Sequence, residues 1–281
     1  MSVVVLTGNQ ANQKALCHKI AGVCKLSAIV VSENIPRKKP GPRDKYRLFI
    51  NRVANRLVGR VFVDAWFKML AEYESRYSKF PGVPVVKVKN VNDVGTLEAL
   101  ERYSPEVIMV SGTNLVGRKV IDLASSGAGL VNLHTGISPY VKGGPNCTNW
   151  CLAKNWFHLI GNTIMWLDAG IDTGKIITTE RTPLSGAESL FDLHLAVMEH
   201  AHDLYIRAVR RIQDGYPVPS VSQDSIDKGT LFYTRDWDIT AMRNAARNFR
   251  GNYRGFFQKE ETQLHLLDGL KFVSLDQHFN A

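Results

Sequence analysis

Apolar positions along the chain fall into short continuous runs separated by stretches of helical periodicity. "VVVLTG" at 3–8 is an apolar run closed by a glycine turn, the pattern of a strand buried on both faces. Apolar residues at helical spacing follow, and "LSAIVVSE" at 26–33 is a second run. Strand, helix and strand in that order predict a parallel pair joined by a right-handed crossover. From about 44 to 79 the period changes. Phe49, Val53, Leu57 and Val61 recur every four residues, with Arg52, Arg56 and Arg60 as a parallel basic stripe. This spacing predicts an amphipathic insertion of two helices, spanning about 37–80.

The strand pattern then resumes at 83–88, "PEVIMVSG", "GLVNLHTG" and 160–167, with helical segments "VGTLEALERYS" and "GRKVIDLASSG" between. "ESLFDLHLAVMEHAHDLYIRAVRRI" predicts one long helix. The expected fold class is α/β, a Rossmann-like, mostly parallel sheet over 1–205. After "GYPVPS" the character shifts to a short strand, "GTLFYT", and a helix, "ITAMRNAARNF". Asp268-Gly269 lies between two alternating runs, which predicts a hairpin with a type I′ turn. Residues 206–281 are therefore expected to form a small α+β appendage.

Composition changes this picture little, and charge changes it locally. The 281 residues, 44% hydrophobic, allow a sizeable core, and no apolar run is long enough to cross a bilayer. The start lacks a basic signal-peptide region. Cys17, Cys24, Cys147 and Cys151 form no Cys-x-x-Cys pair and are expected to be buried, idle thiols in a reducing, cytoplasmic setting. The net charge of +9 is concentrated: nine Lys and Arg against Asp44 alone lie between Arg37 and Arg60, and the remainder is nearly neutral. A solvated basic face, a pyrophosphate contact, an anionic membrane contact through 43–70, and a tRNA backbone contact are all compatible with that stripe.

Candidate chemistry gathers in the middle of the chain. Asn132 and His134 stand at i and i+2 of a strand end, so their side chains share one side. The carboxyl edge of a parallel sheet is where such folds usually hold ligands. "DAGIDTG" then supplies Asp168 and Asp172 after another strand. An amide donor, an imidazole and a carboxylate could thus meet over one substrate, although an isolated Asn-x-His establishes nothing alone.

The longer stretch "VNLHTGISPYVKGG…NWCLAKNWFHLIGNTIMWLDAGIDTGKII" resembles the formyltransferase family that uses N10-formyltetrahydrofolate. The likeness is close over about 107–177 and looser over the β-α-β start. It implies that Asn132, His134 and Asp172 are catalytic. It further implies that the folate donor binds along Gly112, Thr113, Asn114, Leu115 and Val116, and along Asp168, Ala169, Gly170 and Ile171. Asn132 and a protonated His134 would stabilise the oxyanion formed when an amine attacks the formyl carbon, and Asp172 would orient His134 and help remove the amine proton. No metal is required. The loop departs from the commoner His-Pro-Ser pattern: Thr135-Gly136 follows the His, and Lys142 stands where Arg is frequent. The Thr-Gly form and the size of the tail resemble members that formylate nucleotide-linked amino sugars. An initiator tRNA, another amine, or formylfolate hydrolysis are the alternatives, as is a non-catalytic membrane- or nucleic-acid-docking protein. A nucleic-acid partner is not favoured, and a homodimer is open.

Weaker candidates have plain readings. Glu199, His200 and His202 are expected on a helix surface. Trp237, Phe249, Tyr253, Phe256 and Phe257 are expected to form the core of the appendage. Trp150 and Trp156 suit either a cleft wall or the core.

Overall fold

The computed structural model describes residues 1–35, 41, 46, 50, 53, 54, 56, 58–125, 129–144 and 146–276. The strands in chain order are β1 (Ser2–Thr7), β2 (Lys25–Ser32), β3 (Val85–Val88), β4 (Val107–Ser111), β5 (Gly129–His134), β6 (Val141–Gly143), β7 (Gly161–Trp166), β8 (Ile176–Arg181) and β9 (Thr230–Phe232). Seven form one sheet in the order β3-β2-β1-β4-β5-β7-β8. The first five in that order run parallel, while β7 is antiparallel to both β5 and β8. The expected α/β, mostly parallel sheet is therefore present.

Alternation along β1 explains the two-sided core. Val3 and Val5 pack on one face with Leu16 and Ile20 of α1 (Ala11–Ala21), and Val4 and Leu6 pack on the other. The second face is covered by α3 (Val94–Tyr103) and α4 (Arg118–Ser125), which contribute Leu100 and Val120. The first is completed by the long helix α6 (Leu190–Gln213). Its start is a capping box: Ser189 Oγ accepts from Asp192 N at 3.2 Å, and the Asp192 carboxylate accepts from Ser189 N at 3.3 Å. Tyr205 of α6 is fully buried, and its hydroxyl accepts from Val110 N at 2.9 Å and donates to Val131 O. One side chain thus ties the helix to β4 and β5 beside Asn132. The domain boundary expected at 205/206 falls inside this helix.

The insertion contains α2 (Arg60–Arg76), which packs on α1 and α6 through Met69 and Tyr73, while Phe62 joins the cluster around Trp237. Residues 46, 50, 53, 54 and 56 are also helical. The expected apolar face is displaced by one position. Ala54 and Phe62 are buried, whereas Val53 and Val61 are exposed. Spacing alone specifies a stripe but not which stripe meets the core. Phe49, Leu57 and Arg52 lie outside the described residues.

After α5 (Cys147–Lys154) and the long helix, the tail consists of β9, α7 (Ile239–Asn248), a π-helical turn at Phe249–Tyr253, α8 (Arg254–Phe257) and α9 (Glu260–Leu267). The expected hairpin around Asp268-Gly269 does not form. Residues before the Asp-Gly pair are helical, and those after it bond elsewhere. Thr179 N donates to Val273 O at 2.8 Å, and Val273 N donates to Thr179 Oγ1 at 2.8 Å. The open edge of β8 offered a partner that a local turn pattern cannot reveal. Trp237, Tyr253 and Phe256 are core residues as expected, but the core is shared. Trp150 stacks on Phe232 at 4.4 Å and meets Trp237 at 5.0 Å, while Phe157 meets Tyr253 at 5.6 Å. Phe249 and Phe257 are partly buried against the same cluster.

Candidate active site

At the carboxyl ends of β4 and β5 the chain forms a cleft of about 340 Å³. Gly112, Thr113, Asn114, Leu115 and Val116 line one wall, and Asp168, Gly170, Ile171 and Asp172 line another. Asn132 lies between them, with Gly143 and Gly144 beyond. Ala169 belongs to the same loop but does not line the cleft. The appendage contributes Phe232, Tyr233 and Thr234, which no sequence pattern marked as site residues.

Each wall is held by short-range bonds. The 112–116 loop leaves β4 through Gly112 at φ 67° and is clamped by Asn34, beyond the end of β2. Asn34 Nδ2 donates to Gly112 O at 3.0 Å, and Asn34 Oδ1 accepts from Asn114 N at 2.8 Å. In the other loop, Asp168 Oδ1 accepts from Gly170 N at 3.0 Å and from Thr173 Oγ1 at 2.6 Å. Asp168 is thereby engaged in shaping its own turn.

Asn132 differs in having a side-chain amide with no hydrogen-bond partner among the described residues while facing the cleft. Asp172 is the opposite case. It takes a left-handed backbone, φ 52°, and its Oδ2 accepts from Gly143 N at 2.9 Å and lies 3.3 Å from His134 Nδ1. Gln223 of the appendage donates through Nε2 to Asp172 O and Gly174 O, both at 2.8 Å, and is buried. Two backbone carbonyls of the 172–174 turn thus depend on one tail side chain. Its position 51 residues downstream leaves no local signal.

His134 does not reach the cleft as expected. It is buried behind Asp172, with Nε2 3.1 Å from Val141 O and 3.5 Å from Cys147 Sγ. Gly136 makes this placement possible, because a Cβ there would approach His134 Nε2 to 2.5 Å. The Thr-Gly form of the loop and the tucked imidazole therefore go together. Burial is the largest single influence and drives the imidazole toward its neutral form, but the Asp172 carboxylate, Cys147 and the Val141 carbonyl together outweigh it and hold His134 above its ordinary range. The Cys147 thiol is pushed up by burial, against a smaller lowering by His134, and so stays protonated.

Other candidates resolve simply. All four cysteines are free and buried. Among the described residues no group of His, Cys, Asp and Glu could hold a metal ion. The surface reading of His202 is corrected: it is fully buried, and burial lowers it to about 3. His200 is mostly buried, 3.2 Å from Glu180, whereas Glu199 pairs with Lys19 at 2.7 Å near the surface. Trp150 belongs to the core. Lys142 donates to Lys228 O at 3.1 Å.

A sequence profile described as Formyl transferase matches residues 68–209. The chain belongs to the formyl transferase family. Curated relatives include a methionyl-tRNA formyltransferase from Syntrophus aciditrophicus, 31% identical over 51% of this chain and 45% of that protein. Another, from Thermus thermophilus, is 27% identical over 54% of this chain and 48% of that protein. The chain spans about half the length of the curated relatives it matches. Among solved structures, the N-formyltransferase from Helicobacter canadensis in complex with folinic acid and dTDP-3-aminofucose shares 16% identity. It covers 89% of this chain and 81% of its own, with a TM-score of 0.55. Phosphoribosylglycinamide formyltransferase from Anaplasma phagocytophilum, at 16% identity, covers 83% of this chain and 98% of its own, with a TM-score of 0.52. At these identities the family members share the fold with this chain.

Proposed function

We propose that this chain transfers the formyl group of N10-formyltetrahydrofolate to a primary amine, and that the amine belongs to a nucleotide-linked amino sugar. The observation that carries the reading is the amide of Asn132, without a hydrogen-bond partner among the described residues, in a cleft also lined by Asp172. The pterin would lie against Gly112–Val116 and Asp168–Ile171, where backbone N–H and C=O groups match its mixed donors and acceptors. The amine nitrogen attacks the formyl carbon, and the carbonyl oxygen becomes an oxyanion. Asn132 donates to that oxygen. The amine proton passes to Asp172, whose Oδ1 has no donor among the described residues. The carbon–N10 bond breaks as N10 takes up that proton, which returns Asp172 to its carboxylate form. His134 acts here as a positioning residue: its charge holds Asp172 in place and adds positive potential behind the reacting carbon.

The sugar acceptor is supported by Phe232, Tyr233 and Thr234 at the cleft mouth and by the Helicobacter relative, whose complex contains a nucleotide-linked amino sugar. A second reading, formylation of an aminoacylated initiator tRNA, is favoured by the sequence relatives. The discriminating experiment incubates the protein with N10-formyltetrahydrofolate and each acceptor class. A mass gain of about 28 Da on a nucleotide-linked amino sugar supports the first reading, since one formyl replaces one amine hydrogen. Formylated methionyl-tRNA with untouched sugars replaces it with the second. No product on any amine overturns the enzyme reading.

A further inference from the structure

Several large apolar side chains of the insertion have no place in the core. Tyr46, Ile50 and Val53 recur at helical spacing and are all exposed, as are Val61 and Phe67 on α2, with Phe67 at 62%. These residues are not the leftovers of a weak core, because Ala54, Phe62, Met69 and Tyr73 supply a separate, fully used buried face. A groove of about 1050 Å³ lies between α2 and α7, lined by Val61 of the exposed set and by Arg56, Arg60, Arg243, Arg247 and Arg250. Asp64 is the acidic residue of that lining, and Arg60 already answers it at 3.3 Å. Among the described residues, Arg56, Arg243 and Arg250 pair with no carboxylate.

An arginine groove by itself suits any polyphosphate. The aliphatic neighbours decide between partners. Ile50, Val53 and Val61 neither donate, accept nor stack, so a nucleic-acid backbone gains nothing from them, and water penalises their exposure. An anionic bilayer interface rewards both sets at once: acyl boundary for the apolar side chains, phosphate for the guanidinium groups. Arginine forks also match phosphate oxygens two at a time.

We propose that α2, the helical positions Ile50 and Val53 before it, and α7 form a docking surface for an anionic phospholipid bilayer, with Ile50, Val53, Val61 and Phe67 entering the headgroup layer and the arginines bonding its phosphates. The surface is rigidly joined to the cleft. Phe62, beside Val61, meets Trp237 edge-on at 6.0 Å, and Trp237 meets Trp150, which stacks on the cleft residue Phe232. Docking would therefore fix the orientation of the cleft mouth relative to the membrane plane. The inference stands apart from the formyl-transfer reading, because none of the docking residues lines the cleft.

The test uses the full chain and sedimentation with vesicles at near-physiological salt. One set is pure phosphatidylcholine, and the other carries roughly 30 mol% phosphatidylglycerol. The protein should pellet with the anionic vesicles and stay free of the neutral ones. The double variant Arg243→Glu with Arg247→Glu should lose at least ~25-fold in partition, since each cation near an anionic leaflet strengthens binding about fivefold. Phe67→Ser, which should remain folded by circular dichroism because Phe67 is exposed, should lose roughly tenfold through the buried aromatic area. Formyl transfer to a dissolved acceptor should be the same in all variants, so failure here leaves the catalytic reading untouched. Equal partition on both vesicle types, an unaffected double variant, or salt-sensitive tRNA binding without vesicle binding would each overturn the proposal.

Discussion

Replacing Asp172 with Asn separates charge from shape at the centre of the site. His134 and Asp172 have side chains only 8% and 16% exposed and lie 3.3 Å apart. Removing the charge of one partner in such a pair costs about 3 kcal/mol, because the other must then give up its own charge or stay buried without compensation. The Asn oxygen still accepts from Gly143 N, so the loop keeps that bond. The pH dependence supplies the sharper test. In the wild type His134 is raised above its unfolded value of about 6.5. Its contribution is therefore complete below that pH and is lost as pH rises toward the folded value, by up to about 1.4 kcal/mol per unit. In Asp172→Asn burial acts without the carboxylate, His134 is neutral when folded, and the sign reverses: stability falls as pH drops below about 6.5. Urea unfolding of both proteins should show the wild-type advantage shrinking by at least ~1 kcal/mol between about pH 7 and pH 9. A difference constant across that interval would refute the charged pair.

Further expectations follow from single contacts. Gln223→Leu strands the buried Gly174 carbonyl and the half-buried Asp172 carbonyl and should cost roughly 2 kcal/mol in urea unfolding, with kcat reduced more than folate affinity. Gly143→Ala forces a Cβ onto Phe232 O from a backbone at φ 88°, so the β6–β9 pairing should loosen, giving a lower Tm and faster amide exchange in the tail. Gly136→Ala should displace the His134 ring and lose about 1–3 kcal/mol by overpacking, read as a lower urea midpoint and an altered His134 imidazole resonance.

The parallel sheet was legible because strands buried on both faces leave continuous apolar runs, as in 3–8 and 107–111, and β7 was marked by the run at 160–167. The joint place of Asn132, in β5, and Asp172, in the loop after β7, on one cleft was legible through the family resemblance rather than through spacing alone. The position of His134 was not. Its tucked ring depends on room left by Gly136 and on Cys147 and Val141, contacts set by how the loop closes rather than by the pattern of the strand. Gln223 was invisible for the same reason, as was the edge of β8 that drew 271–273 away from a hairpin. The insertion shows a third limit. A period of four marked Val53 and Val61 as an apolar face, but Ala54 and Phe62 one position later meet the core. Periodicity counts stripes, and only packing assigns them.

The central claim is that the cleft-lining amide of Asn132 stabilises the oxyanion of formyl transfer. It is tested most directly by single-turnover transfer of isotopically labelled formyl from N10-formyltetrahydrofolate to the acceptor found in the substrate panel, comparing wild type with Asn132→Ala. The account predicts that the wild type moves the label into a stable amide and that the variant is slower by about 10²–10³-fold with folate affinity nearly unchanged. Equal rates in the two proteins would contradict it.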